Sequence, residues 1–366
     1  MKKVIFSLFA VAVLATSCEN KDAYTISGKM EAKDSTKVYL KEPSFDRKVQ
    51  PKILDSTIVK NGMFEFKGVA TEPAFNFIIA EGIVGKPKSV SLVVEAGKIN
   101  VNLDSLVIRG TKSNDDYQAY LNKVKPIDEQ VASILDKANT LTDKDGESLE
   151  KLKKDFDDLN IQRNKESLSY VKANISNPTA IMTFIYGASQ FETDEIKEVL
   201  GMLSSKDKEL APIKKIERRV NAIENTAEGK SFVDLKSKDQ NGKDIALSDY
   251  AGKNKLVLVD FWASWCPPCR KDMPEVVELY KKYQPKGFEV VGVSLDEDAE
   301  AWKNALTAMN MTWPQMSDLK GWESDMAAEY AVNSIPHTVL IDKDGKIIAK
   351  NLRGEELSKK VAEVLK

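Results

Sequence analysis

Cys266 and Cys269 stand two residues apart in the run Val259-Asp260-Phe261-Trp262-Ala263-Ser264-Trp265-Cys266-Pro267-Pro268-Cys269, where an apolar stretch gives way to a helical pattern. Two cysteines so spaced can close and reopen a disulfide. A helix start leaves backbone N–H groups unpaired and carries partial positive charge, which favours thiolate over thiol. The thiolate is the nucleophile. Lowering a cysteine pKa from about 8.5 to about 7 raises its share at neutral pH from a few per cent to roughly half, equivalent to about 2 kcal/mol. Cys266, at the exposed start of the helix, is then the attacking thiol, and Cys269, roughly one turn on and more enclosed, resolves the mixed disulfide. Two plainer readings compete. A zinc site needs two more Cys or His ligands, and only His337 and Cys18 remain. The other is a small inert disulfide. No metal and no cofactor is expected.

Asp260-Phe261-Trp262-Ala263, Trp265-Cys266-Pro267-Pro268-Cys269 and the later Ile335-Pro336-His337-Thr338 together resemble the thioredoxin family. More narrowly, they resemble its membrane-tethered extracytoplasmic branch, the TlpA-like and ResA-like proteins of the AhpC/TSA-redoxin superfamily. The resemblance runs from about Gly229 to Lys366. It implies an α/β fold, a central mixed sheet flanked by helices, with the dithiol at the first helix of the core. It further implies that Asp260 helps move the proton of the buried resolving thiol. By the same resemblance Ile335-Pro336 is the cis-proline that faces the dithiol, with the Ile335 backbone open to a substrate peptide. Peroxiredoxins share the fold but place a threonine three residues before the reactive cysteine; here Ala263 holds that position, which disfavours peroxide reduction.

The neighbouring residues fit when taken singly. Lys255 to Phe261 is a near-continuous apolar run, as a strand buried on both faces requires. Asp260 interrupts it, and a carboxylate there is costly unless paired, so its pKa is expected to rise; the alternative is a solvated charge at a strand end. Trp262 and Trp265 cover the sulfur atoms, Trp265 shaping the docking surface, or are simply core and rim aromatics. Pro267 and Pro268 suit the first helical positions and stiffen the turn; carrying no charge, they leave the redox potential open. Arg270 and Lys271 can favour the thiolate or merely be solvated. His337, the only histidine, stands where thioredoxins commonly carry threonine. It either titrates near neutral pH beside the sulfurs or is a surface histidine in a loop. From Thr338 to Ile348 two apolar runs flank Lys343-Asp344-Gly345, the pattern of a hairpin.

At the amino terminus Lys2 and Lys3 precede an apolar stretch from Val4 to Ala15, followed by small residues and Cys18. That is a secretory signal over 1–17, its apolar core too short to span a bilayer. Ala15-Thr16-Ser17-Cys18 resembles a bacterial lipoprotein cleavage box, which makes Cys18 the lipidated residue and 18–23 a linker; cleavage by ordinary signal peptidase after Ser17 is the alternative. With Cys18 lipidated, Cys266 and Cys269 are the only thiols left, which suits redox work in the bacterial periplasm better than a disulfide-stapled scaffold.

The chain has 366 residues, 42 % of them apolar, and a net charge of −2. That supports two or three ordinary cores and gives no electrostatic case for nucleic acid. From 24 to 110 short runs such as Met63-Phe64-Glu65-Phe66 alternate between turn residues, predicting an all-β sandwich or small barrel. This part resembles the β-rich domain that precedes such redox domains in bacterial lipoproteins. From 111 to 228 apolar residues recur at helical spacing among charges, predicting a helical region, and the redox domain occupies 229–366. The expected activity is that of a membrane-anchored periplasmic thiol-disulfide oxidoreductase reducing disulfides of client proteins, resupplied by a transmembrane thiol reductant. Cytochrome c maturation is one pathway open to it. The alternatives are a disulfide-forming oxidant using the same site, and a binding lipoprotein whose redox domain is secondary.

Overall fold

The computed structural model describes residues 20–45, 49–81, 88–141 and 146–366. The signal stretch and Cys18 lie outside the described residues. The chain divides into two compact units, Met1–Lys208 and Glu209–Lys366.

The first unit opens with eight strands: β1 (Ala23–Lys29), β2 (Lys37–Glu42), β3 (Lys52–Ile58), β4 (Met63–Val69), β5 (Ala74–Ala80), β6 (Ser89–Val94), β7 (Gly97–Asn102) and β8 (Val107–Arg109). They form two four-stranded sheets, ordered β4-β1-β7-β8 and β3-β2-β5-β6. Alternate residues turn inward, as the period of two requires: Ile26, Phe64, Phe66, Ile99 and Val101 from one sheet meet Val38, Leu40, Ile78 and Leu92 from the other. The result is a sandwich. Asn61-Gly62, both at positive φ, makes the tight turn its sequence promises. The strands it joins, β3 and β4, nevertheless lie in different sheets, so the turn is a corner and not a hairpin.

Five helices follow: α1 (Lys112–Ala138), α2 (Gly146–Ala173), α3 (Pro178–Gly187), α4 (Thr193–Met202) and the short α5 (Ser205–Lys208). They are tied to the sandwich by buried amides. Asn114 on α1 accepts from the Val93 N–H and donates to the Val93 carbonyl, both at 2.8 Å, and the Gln118 amide oxygen accepts from the Ile108 N–H at 2.8 Å. The segments expected as separate β and helical regions are thus parts of one unit.

The second unit begins with α6 (Ala211–Asn225), then β9 (Lys236–Lys238), β10 (Asp244–Ala246), β11 (Leu256–Trp262), α7 (Pro267–Tyr283), β12 (Phe288–Ser294), α8 (Ala299–Ala308), β13 (Gln315–Ser317), α9 (Asp325–Glu329), β14 (His337–Asp342), β15 (Ile347–Lys350) and α10 (Gly354–Val364). Its seven-stranded sheet runs β10-β9-β13-β12-β11-β14-β15. β11 is central, parallel to β12 and antiparallel to β14, and all seven of its residues are buried. This is the mixed sheet of a thioredoxin-like fold, preceded by a β-rich and a helical part. The boundary differs from the expected 228/229. Residues 209–228 fall in the second unit, where Arg218 of α6 reaches Asp325 at 3.2 Å and Glu329 at 3.0 Å on α9.

Candidate active site

The two cysteines lie where β11 ends and α7 begins. β11 stops at Trp262, a four-residue loop follows, and Cys266 is the N-cap of α7 with Pro267 and Pro268 in its first turn. Their missing N–H groups cost nothing there. Cys266 and Cys269 form a disulfide. The Cys269 N–H donates to Cys266 Sγ at 3.2 Å, so one orphan donor of the helix start points at the sulfur. In this disulfide form Cys266 is not exposed as anticipated: 3 % of it is accessible, against 1 % for Cys269. Ile335-Pro336, whose peptide bond is cis, faces it, with the Ile335 carbonyl oxygen 3.7 Å from Cys266 Sγ.

The loop before the dithiol is held by a carboxylate that sequence reasoning missed. Asp296, just past β12 and buried, accepts from Ser264 N–H at 3.0 Å, Ser264 Oγ at 2.5 Å and Ser294 Oγ at 2.7 Å. Trp262 is buried and its indole N–H donates to Gln315 at 3.1 Å, so it is core. Trp265 is half exposed.

Asp260 is buried in β11, facing Thr338 of β14 across the ladder. Burial pushes its carboxyl up to about 7; the Asp272 charge adds to the push and the Arg353 guanidinium opposes it. The solvated strand-end alternative is thereby set aside. Asp260, Cys269, Asp272, Pro336, Thr338 and Arg353 line one cavity of about 20 Å³, room for a single water. Arg353 Nε donates to Asp272 Oδ2 at 2.6 Å, closing that cavity with an ion pair. Neither Asp272 nor Arg353 was singled out in the sequence, where both look like ordinary surface charges.

His337 departs from both expectations. It opens β14, is buried and meets the edge of Phe261 with ring centroids 5.8 Å apart. Its Nε2 has no hydrogen-bond partner among the described residues. Burial pulls its pKa down to about 4, with the Lys350 ammonium contributing, so the ring is neutral at physiological pH. It is neither a loop histidine nor a group titrating near 7.

The unit that carries this site is similar to known proteins. A family model described as Redoxin matches residues 227–365. Thiol-disulfide oxidoreductase ResA of Bacillus thuringiensis subsp. konkukian is 38 % identical over 138 residues, 38 % of this chain and 76 % of that protein. The chain belongs to the ResA-like thiol-disulfide oxidoreductases. ResA of Bacillus subtilis is 33 % identical over 125 residues, 34 % of this chain and 67 % of the relative. The C-terminal domain of a putative thiol-disulfide oxidoreductase from Bacteroides thetaiotaomicron is 38 % identical, covering 38 % of this chain and 97 % of that one, with a TM-score of 0.37. Ahead of the ResA-like unit, residues 24–117 match a domain of unknown function, DUF4369. This oxidoreductase therefore carries its redox chemistry in one unit and a sandwich of unassigned role in the other.

Proposed function

We propose that the ResA-like unit reduces disulfides of client proteins outside the bacterial cytoplasm, and that Cys18 carries a lipid holding the chain at a membrane. The reduced Cys266 thiolate attacks one client sulfur, forming a Cys266–client disulfide and expelling the other client sulfur as thiolate. Cys269, relieved of its proton, then attacks Cys266 Sγ; the Cys266–Cys269 disulfide forms and the client leaves with both cysteines reduced. Two electrons pass to the client, and a membrane thiol reductant restores the dithiol. Asp260 takes the Cys269 proton through the shared cavity, its pKa of about 7 matching the task near neutral pH.

The direction is supported by what surrounds Cys266 Sγ. A strong oxidant stabilises its reduced thiolate. Here Pro267 and Pro268 carry no charge, and one N–H donor at 3.2 Å is set against a carbonyl oxygen at 3.7 Å. Apart from the helix start and that one donor, these groups add nothing to hold a thiolate, which favours the disulfide relative to that of a strong oxidant and supports reductase work. Equilibrating the mature protein with defined thiol buffers tests this. A reductase is expected below about −220 mV, whereas a value near about −120 mV would reverse the assignment to a disulfide-forming oxidant.

A further inference from the structure

Of the five tryptophans in the chain, Trp262, Trp302 and Trp313 are buried, while Trp265 and Trp322 are 49 % and 47 % exposed. The two exposed rings meet. Their centroids are 6.2 Å apart and their planes tilt by 57°. Trp265 precedes Cys266; Trp322 comes from a separate segment, the 3-10 turn Gly321–Glu323 after β13.

Gly321 has φ +56°, a left-handed conformation that favours glycine in that turn. Lys320 on one side and Arg218 on the other both hold Asp325 just beyond the turn, at 3.0 and 3.2 Å. Leu319, 37 % exposed, adds to the apolar surface. Exposed apolar groups gathered beside a reactive sulfur mark a contact surface. Two half-exposed rings are far smaller than the roughly 800 Å² per partner of a stable protein interface, which argues for brief engagement of a client and against a second copy of this chain. In the first turns of α7, Arg270 and Lys271 have no ion-pair partner among the described residues, which favours a neutral or acidic segment over a basic one.

We propose that Trp322 and Trp265 form an aromatic clamp that selects extended client segments with an aromatic or large apolar side chain beside the disulfide cysteine. This rests on the client-reductase reading above and assigns Trp322 as a specificity residue for it. A ring laid on two mutually tilted indoles finds stacked and edge-to-face contacts at once.

The test uses the mature protein and two disulfide-bonded peptides that differ only in Phe or Ala beside the attacked cysteine. The wild-type protein is expected to favour the Phe peptide in kcat/KM by about tenfold, chiefly through KM. Trp322→Ala should cut that ratio below about threefold, whereas Trp322→Phe should retain most of it. Tyr186→Ala, exposed in the other unit, is the control and should leave the ratio alone. A wild-type ratio near one, or a ratio unmoved by Trp322→Ala, overturns the clamp. So does an equal loss on both peptides in both Trp322 variants. Failure of the wild-type protein to reduce either peptide would instead sink the reductase reading, and the clamp with it.

Discussion

The two units treat buried polar groups differently. In the first, the buried polar side chains among the described residues are amides and hydroxyls, including Asn76, Asn114, Gln118, Ser167, Asn177 and Thr179. They are neutral and bonded; Asn177 caps α3 by accepting from the Thr179 N–H at 3.0 Å, and Tyr120 pairs with Ser167 at 2.9 Å. The second unit buries two carboxylates and an imidazole, Asp260, Asp296 and His337. Every buried side-chain nitrogen without a partner among the described residues also lies there: on Arg219, Trp302, Trp313, Gln315 and His337. Satisfied neutral groups specify a packing arrangement, whereas a buried carboxyl with a raised pKa such as Asp260 costs stability and is kept where it can move a proton. The sandwich unit is built for shape and the ResA-like unit for chemistry.

The largest test of that division is at the sulfurs. Cys266→Ser removes the attacking atom and should lower disulfide reduction by at least about 10³-fold, since a serine hydroxyl without a base is a poor nucleophile. Cys269→Ser should leave the first attack intact and strand clients as mixed disulfides on Cys266. Non-reducing gels of envelope extracts followed by mass spectrometry check this. An absence of any covalent adduct with Cys269→Ser would count against the assigned order of attack.

Asp260 gives the next effect, this one on stability. Its native pKa is about 7 against 3.8 when exposed. Below about pH 4 native and unfolded chains both hold the proton, between about 4 and 7 only the native chain does, and above about 7 neither does. Stability should therefore fall as pH rises across that window, by at most about 4 kcal/mol, then level off. Asp260→Asn should flatten the profile and be the more stable form above pH 7. Urea unfolding of the disulfide form from about pH 4 to 9 measures both curves. The same substitution should slow client release by Cys269 while sparing the first attack.

Much of this was legible from residue types alone, because β11 is buried on both faces and shows it as unbroken apolar sequence, and because the dithiol, the proline turn and Ile335-Pro336 are local patterns. The hairpin of β14 and β15 was legible too; Gly345 sits at φ +74° and its N–H closes the turn on the Asp342 carbonyl at 3.1 Å. What was hidden depends on tertiary contact. Asp272 and Arg353 lie 81 positions apart, and each alone looks like a solvated charge. The apolar stripe of α6 shows which face it buries but not which unit covers it. His337 carries no sign that a strand begins with it. Asp296 did leave a trace, a carboxylate shortly after the apolar run Val290–Val293, although it follows its run where Asp260 interrupts one.

A matched substitution in the sandwich unit sharpens the comparison. Asn114→Ala strips the buried Val93 N–H and carbonyl of their partners at once. Unsatisfied buried groups cost about 1–3 kcal/mol each, partly relieved by relaxation, so a loss of about 2–3 kcal/mol is expected. Disulfide reduction should stay within about twofold of wild type, because the amide organises packing and moves no proton. A large fall in activity with the fold intact would mean that the sandwich takes part in the chemistry.

The smallest effect is the most diagnostic of how the site is tuned. Asp272 and Arg353 act on Asp260 with opposite sign, the first raising its pKa and the second lowering it. Arg353→Gln removes the cation and also frees the Asp272 charge it had engaged at 2.6 Å, so both changes push Asp260 further up. Asp272→Asn removes the anion and frees the guanidinium, pulling Asp260 down. Arg353 and Asp272 side chains are 46 % and 28 % exposed, so solvent screening should hold each shift below about one unit, near 1 kcal/mol. Titrating the Asp260 carboxyl carbon by NMR in the disulfide form reads the displacement directly. Opposite shifts would establish the pair as the electrostatic setting of the buried carboxyl. Shifts of the same sign would show instead that each substitution merely loosens the cavity and lets water in, since added hydration lowers a raised carboxyl pKa whichever charge is lost.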